Sequence, residues 1–127
     1  MQTGKLNRAT LIGSAQVAVF RTHGIPRPTL KFMKGETVRG EQVMALGYGY
    51  GQVEPILRLA HVSNPAMAYE SEPVESIIFD NGFVGGQSGS PVINSQGDVV
   101  TIATQSDEHS GWGRPTPELR KALKKFL

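Results

Sequence analysis

No cysteine occurs anywhere in the chain. That excludes disulfide frameworks and thiolate metal sites. Aromatic residues make up only 7 % and do not interleave with a basic patch, which argues against nucleic-acid readout. Net charge is small as well, +2, and much of the basic excess falls in Arg120, Lys121, Lys124 and Lys125. Basic residues there suit the negative end of a helix dipole. No run is apolar enough over the length needed to span a membrane. No apolar segment of the signal-peptide kind follows Met1-Gln2-Thr3-Gly4-Lys5. No metal site is expected, because His61 and His109 have no partners at ligand spacing.

Glycine and proline are plentiful, with 15 and 8 residues among 127. Many turns between short strands would use them, and 39 % hydrophobic against 19 % charged residues is enough for one folded core. The strand candidates support an all-β reading. Ala9-Thr10-Leu11-Ile12-Gly13 and Gln16-Val17-Ala18-Val19-Phe20 flank Gly13-Ser14 and predict a hairpin. Residues 22–34 hold Gly24, Pro26 and Pro28, so they read as a surface connector. Further strands are expected at Gln42–Tyr48, Ile56–Val62, Val74–Phe79, Pro91–Asn94 and Val99–Thr104, with a short sixth near Gly111–Arg114. Ser95-Gln96-Gly97-Asp98 carries hairpin-turn chemistry. After Pro117, the spacing of Leu119, Ala122, Leu123 and Phe126 predicts a terminal helix with Thr116 as its N-cap.

The chemistry is concentrated in Gly85-Gly86-Gln87-Ser88-Gly89-Ser90-Pro91. Glycines admit backbone conformations closed to other residues. That freedom lets the N–H groups of Gly86 and Ser88 converge beside the Ser88 hydroxyl, as an oxyanion hole beside a nucleophile. Pro91 ends the loop and starts the strand that holds it.

This stretch resembles the nucleophile loop of the trypsin-like serine proteases, Gly-x-Ser-Gly-Gly/Ser-Pro. The strand–turn–strand of residues 92–102, the segment Gly40–Tyr48, and Trp112-Gly113-Arg114-Pro115 with its helix fit the cysteine-free bacterial and viral branch. The resemblance implies a six-stranded β-barrel, the second barrel of the protease fold, over residues 35–127, with a C-terminal α-helix. Residues 1–34 would be a remnant hairpin of the first barrel and a connector. It implies Ser88 as nucleophile, Gly86 and Ser88 as oxyanion hole, and a substrate pocket shaped by Phe83, Gln87, Thr101 and Ala103. It implies no cofactor.

The resemblance breaks at the base and the acid. In the family's Asp-x-Ala-x strand, Gln16 stands at the acid position, and an amide cannot stabilise an imidazolium as a carboxylate does. Fifteen residues precede Gln16 and none is His. His23 reads as a loop residue, His61 as a barrel-strand residue and His109 as part of an exposed polar loop. The expectation is a catalytically inactive module working in binding or assembly, for example as a phage or viral structural or decoration protein. A protein partner or self-assembly would cover the face left by the missing first barrel, with no nucleic acid and no membrane involved. Its place would be the cytoplasm or a virion. The alternative is a genuine serine endopeptidase whose first barrel is supplied elsewhere or removed.

Overall fold

A computed structural model gives the fold and describes residues 5–6, 10–12, 17–24, 26–68 and 75–127. Four short strands come first: β1 (Lys5–Leu6), β2 (Thr10–Ile12), β3 (Val17–Val19) and β4 (Thr22–His23). The expected hairpin is there, with β2 antiparallel to β3 and Leu11 opposite Ala18. Its turn at Gly13-Ser14, and Gln16, lie outside the described residues. β1 pairs with β4, two residues each, which the sequence did not suggest.

The remaining strands are β5 (Gln42–Gly47), β6 (Ile56–Met67), β7 (Ser76–Phe79), β8 (Pro91–Asn94), β9 (Val99–Ile102), β10 (Gln105–Ser106) and β11 (Gly111–Gly113). They form one sheet in the order β10-β11-β7-β6-β5-β8-β9. The two ends of that order are consecutive in the chain, separated only by Ala103 and Thr104. β9 and β10 are therefore one bent run that pairs with β8 at its start and with β11 at its end. The Thr104 amide donates to the Trp112 carbonyl at 3.0 Å and the Thr101 hydroxyl to the Arg114 carbonyl at 2.7 Å, closing the seam. Counting β9 and β10 as one, the seven strands make a six-stranded closed barrel, which leaves no open sheet edge there.

Alternation explains the core. In β5 the side chains of Val43 and Ala45 turn inward while Gln42 and Leu46 face solvent. Val43, Ala45, Ala60, Val62, Ile77, Phe79, Val92, Val100 and Ala103 fill the barrel. The β8–β9 turn is held by Asn94, whose Oδ1 accepts the amides of Gln96 and Asp98, and Gly97 supplies a φ of 83°.

Three local expectations change. β6 runs on to Met67 rather than stopping at Val62. Register shifts between Val62, Asn64 and Met67 accommodate Pro65, which lacks an N–H for a regular ladder. The expected strand from Val99 to Thr104 splits into β9 and β10 where the run changes partners. Thr116 is the first residue of helix α1 (Thr116–Leu123), and Pro115 holds the N-cap position. The Thr116 hydroxyl instead donates to the Val100 carbonyl at 2.5 Å, tying the helix start to the barrel.

Helix α1 joins the two parts of the molecule. Leu119 and Leu123 are buried against Ile12, Val17, Val19, Phe32, Ile102 and Ala122. One face of the hairpin thereby packs onto the helix and β9. The connector joins in through Phe32, which bridges to Val99 in parallel, with the Met33 amide on the Val99 carbonyl at 2.9 Å.

Candidate functional site

The Ser88 loop is fixed from inside by the residue before the serine. Gln87 is completely buried. Its Oε1 accepts the Val84 amide at 3.0 Å and its Nε2 donates to the Ile56 carbonyl at 2.8 Å. The Gln87 amide donates to the Val84 carbonyl, and the Ser90 amide to the Gln87 carbonyl, at 3.0 and 2.9 Å. The far end of the loop is sewn to the end of β9, with the Gly89 amide on the Ala103 carbonyl and the Ala103 amide on the Ser90 carbonyl. Gly86 and Gly89 have φ of 93° and 90°, the region that favours glycine. A Cβ on Gly86 would also stand 3.0 Å from the Tyr48 carbonyl oxygen.

This scaffold leaves Ser88 exposed at the tip. Its hydroxyl donates to the Thr104 carbonyl across 3.3 Å, a long and weak contact. Among the described residues, the amides of Gly86 and Ser88 donate to no backbone carbonyl. Ser88 lines a cleft of about 360 Å³ with Val17, Ala18, Gly89, Ile102, Ala103, Thr104 and Gln105. Strand β3 of the hairpin is thus one wall of the Ser88 cleft.

The four expected pocket residues separate. Ala103 lines the Ser88 cleft. Phe83 lines a second cleft of about 500 Å³ with Tyr50, Arg58, Gly82, Val84, Gly85, Ser106, Asp107 and Glu108. Gln87 and Thr101 line neither cleft and are fully buried. The Gln87 amide is needed to satisfy backbone groups inside the loop. Thr101 points inward on β9, bonds Arg114, and fits because Gly113 opposite has no side chain; a Cβ there would lie 2.4 Å from Thr101 Oγ1. The Phe83 ring packs at 5.9 Å on Phe79 and against Gly111, while its carbonyl accepts the Ser106 hydroxyl at 2.8 Å.

Gln16 lies outside the described residues, although Val17 and Ala18 after it reach the Ser88 cleft. None of the three histidines lines that cleft. His61 on β6 holds its Nδ1 3.2 Å from Asp80 Oδ2, while Asp80 Oδ1 accepts the His61 amide at 2.7 Å. His109 sits in an exposed turn, and His23 pairs with Lys5 in the β1–β4 ladder. That turn is organised by Asp107, whose Oδ1 accepts the amides of His109 and Ser110 at 2.8 Å. Those two donors hold its carboxyl below the ordinary value of 3.8.

Thr104 and Gln105 fall within the Thr101–Ser106 run that the sequence offers as a pocket wall, and both line the Ser88 cleft. Among the described residues no group of three or more His, Cys, Asp or Glu could hold a metal ion. No helix there is long and apolar enough to cross a membrane.

The trypsin-like peptidase domain family matches residues 2–102. Among solved structures, the active form of the Rv3671c protease from M. tuberculosis superposes with a TM-score of 0.83 at 22 % identity, over 96 % of this chain. The inactive form of Rv3671c gives 0.80 at 21 % identity, covering 96 % of this chain and 67 % of that one. The inactive form of its serine-to-alanine mutant gives 0.74 at 23 % identity, covering 92 % and 63 %. These likenesses carry the fold. The chain spans 58 % of the length of the active-form structure. Comparison with curated proteins returns no match. Because that match covers well over half of the sequence, the nucleophile-loop residues 85–91 among it, the chain belongs to the trypsin-like peptidase domain family.

Proposed function

We propose that this chain is a protease-derived module that presents the nucleophile loop, does not turn over peptides on its own, and works by binding another polypeptide. One observation carries the reading: Ser88 lines a cleft that none of the three histidines lines, and among the described residues its hydroxyl has only the 3.3 Å contact with a carbonyl. A serine hydroxyl is a weak nucleophile at neutral pH and needs a general base within hydrogen-bond reach. Gln16 supports the same reading, since an amide at the acid position offers no carboxylate to orient an imidazolium.

Binding is supported by the hairpin. A two-stranded sheet is marginal by itself, and strand edges pair readily with other chains. Leu11 is 79 % exposed and Phe20 is 50 % exposed, and Leu11 stands opposite Ala18, a wall of the cleft. The test is digestion of a mixed peptide library read by mass spectrometry. The expected result is a product profile identical for the native chain and Ser88→Ala. Cleavage products that disappear in Ser88→Ala would overturn the reading.

A second reading is an endopeptidase completed by another polypeptide. It is favoured by the exposed hydroxyl of Ser88 and by the two loop amides that donate to no carbonyl among the described residues. It requires peptide cleavage to appear when the completing polypeptide is added, and to vanish with Ser88→Ala.

A further inference from the structure

Charge is unevenly shared along this chain. Residues 1–34 carry six Lys or Arg and no Asp or Glu. Residues 115–127 carry four Lys or Arg against Glu118. The stretch between them, residues 35–114, carries three against ten. The two chain ends therefore hold a net +9 and the middle −7, which leaves the overall +2. The fold brings the two ends together. Helix α1 buries Leu119 and Leu123 against Ile12, Val17 and Val19 of the hairpin and Phe32 of the connector. Hairpin, connector and helix thus make one basic layer on an acidic barrel. Lys31, Lys34, Arg120, Lys121, Lys124 and Lys125 in that layer are exposed. None of these six forms an ion pair among the described residues. The three barrel cations are held within the barrel. Arg114 is buried and bonds the Ser76 hydroxyl, while Arg58 and Arg39 donate to the carbonyls of Gly82 and Ser63. The carboxylates of Glu36, Glu54, Glu75 and Glu108 stay exposed.

A partner for the basic layer needs a surface of opposite sign. The barrel of another copy is such a surface, and its −7 nearly balances the +9 of the layer. The small overall charge leaves little long-range repulsion between copies. Layer on layer, or barrel on barrel, would set like charges side by side, which disfavours both contacts. We propose that copies of this chain associate head to tail, the basic layer of one on the acidic barrel of the next. Such a contact joins unlike patches, so each copy keeps one of each free to continue the assembly. The inference rests on the binding half of the reading above, and it names the bound polypeptide as a second copy.

The experiment is sedimentation velocity over a concentration series at two salt levels. At about 0.1 M and about 1 M salt the Debye length is about 10 Å and about 3 Å. The weight-average mass is expected to rise with concentration past a dimer at the lower salt, and to fall to the monomer at the higher. The variant Lys121→Glu, Lys124→Glu, Lys125→Glu breaks the layer from exposed helix positions. Lys31→Glu, Lys34→Glu breaks it without touching the helix. Glu36→Lys, Glu54→Lys, Glu108→Lys breaks the barrel side. Each set should lower the association constant by about tenfold, with circular dichroism confirming its fold. A layer variant mixed with the barrel variant still has one intact contact, so the mixture should give a one-to-one dimer and nothing larger. A native chain that stays monomeric, or that stops at a dimer at every concentration, would overturn the proposal. So would a mass indifferent to salt, or a mixture without the dimer. Binding of duplex DNA or of phosphatidylserine vesicles by a chain that remains monomeric would overturn it too, and would assign the layer to a phosphate polyanion. The series on Ser88→Ala should match the native one. Ser88-dependent peptide cleavage would therefore overturn the preceding reading alone, because the assembly is read without the serine.

Discussion

Gln87 and Ser88 are neighbours in sequence with opposite surroundings. One is completely buried and the other stands exposed at the loop tip. The buried amide makes the exposed hydroxyl possible, since it satisfies the Val84 amide and the Ile56 carbonyl where the loop turns. Gln87→Leu keeps the bulk but leaves both groups unpaired in the interior. At about 1–3 kcal/mol for each orphaned group, it should lower unfolding free energy by about 2–6 kcal/mol in a urea titration. A change within experimental error would mean that the loop does not depend on that amide. Gly113→Ala makes a second residue-scale claim. The new methyl would meet Thr101 Oγ1 and Cγ2 at 2.4 and 2.6 Å and the Ile102 carbonyl oxygen at 2.8 Å. Overpacking of this kind costs about 1–3 kcal/mol, and pairing it with Thr101→Ala should recover part of the loss.

Helix α1 decides whether the hairpin stays on the barrel. Leu119 is 1 % exposed and sits among residues from the hairpin, the connector and β9. Leu119→Ala should cost about 2–5 kcal/mol by the cavity rule. Its signature should be faster hydrogen exchange in β2 and β3 than in β5 and β8. Uniform exchange across all strands would contradict this view of the helix as a clamp. The Asp107 turn gives a pH claim at the same scale. Its carboxyl is lowered by the amides of His109 and Ser110. The ordering it provides is therefore complete above the ordinary value of 3.8 and is lost as pH falls through the lower folded value. Amide shifts of His109 and Ser110 should move in that acid window. In Asp107→Ala those shifts should be pH-independent there.

Elements with a local cause were readable in the sequence. The Ser95-Gln96-Gly97-Asp98 run marked the β8–β9 turn, and Pro117 with its apolar spacing marked α1. The turn of the Ser88 loop was legible for the same reason, because left-handed backbone at Gly86 and Gly89 leaves its trace in composition. Features set by register were not legible. Gln87 and Thr101 were expected beside substrate, yet which way a side chain points depends on how strands from residues far apart in sequence line up. The extension of β6 through Pro65 depended on register shifts, and the division of β9 from β10 on a change of partner.

At the scale of the whole molecule, the barrel is closed while the hairpin is not. The barrel covers its own edges through the bent β9–β10 run. The hairpin segment leaves Leu11 and Phe20 exposed, and the chain covers 58 % of a similar protease structure. Association through that face is expected to weaken in the Leu11→Lys, Phe20→Lys double variant. Sedimentation velocity should show a smaller weight-average mass for the variant than for the native chain. The central claim is that this fold carries a nucleophile without a base. It is tested most directly by exposing the chain to a fluorophosphonate in buffer free of nitrogen bases and weighing the intact protein. The account predicts no adduct on Ser88 beyond the background seen with Ser88→Ala. A single stoichiometric adduct, absent from Ser88→Ala, would contradict it.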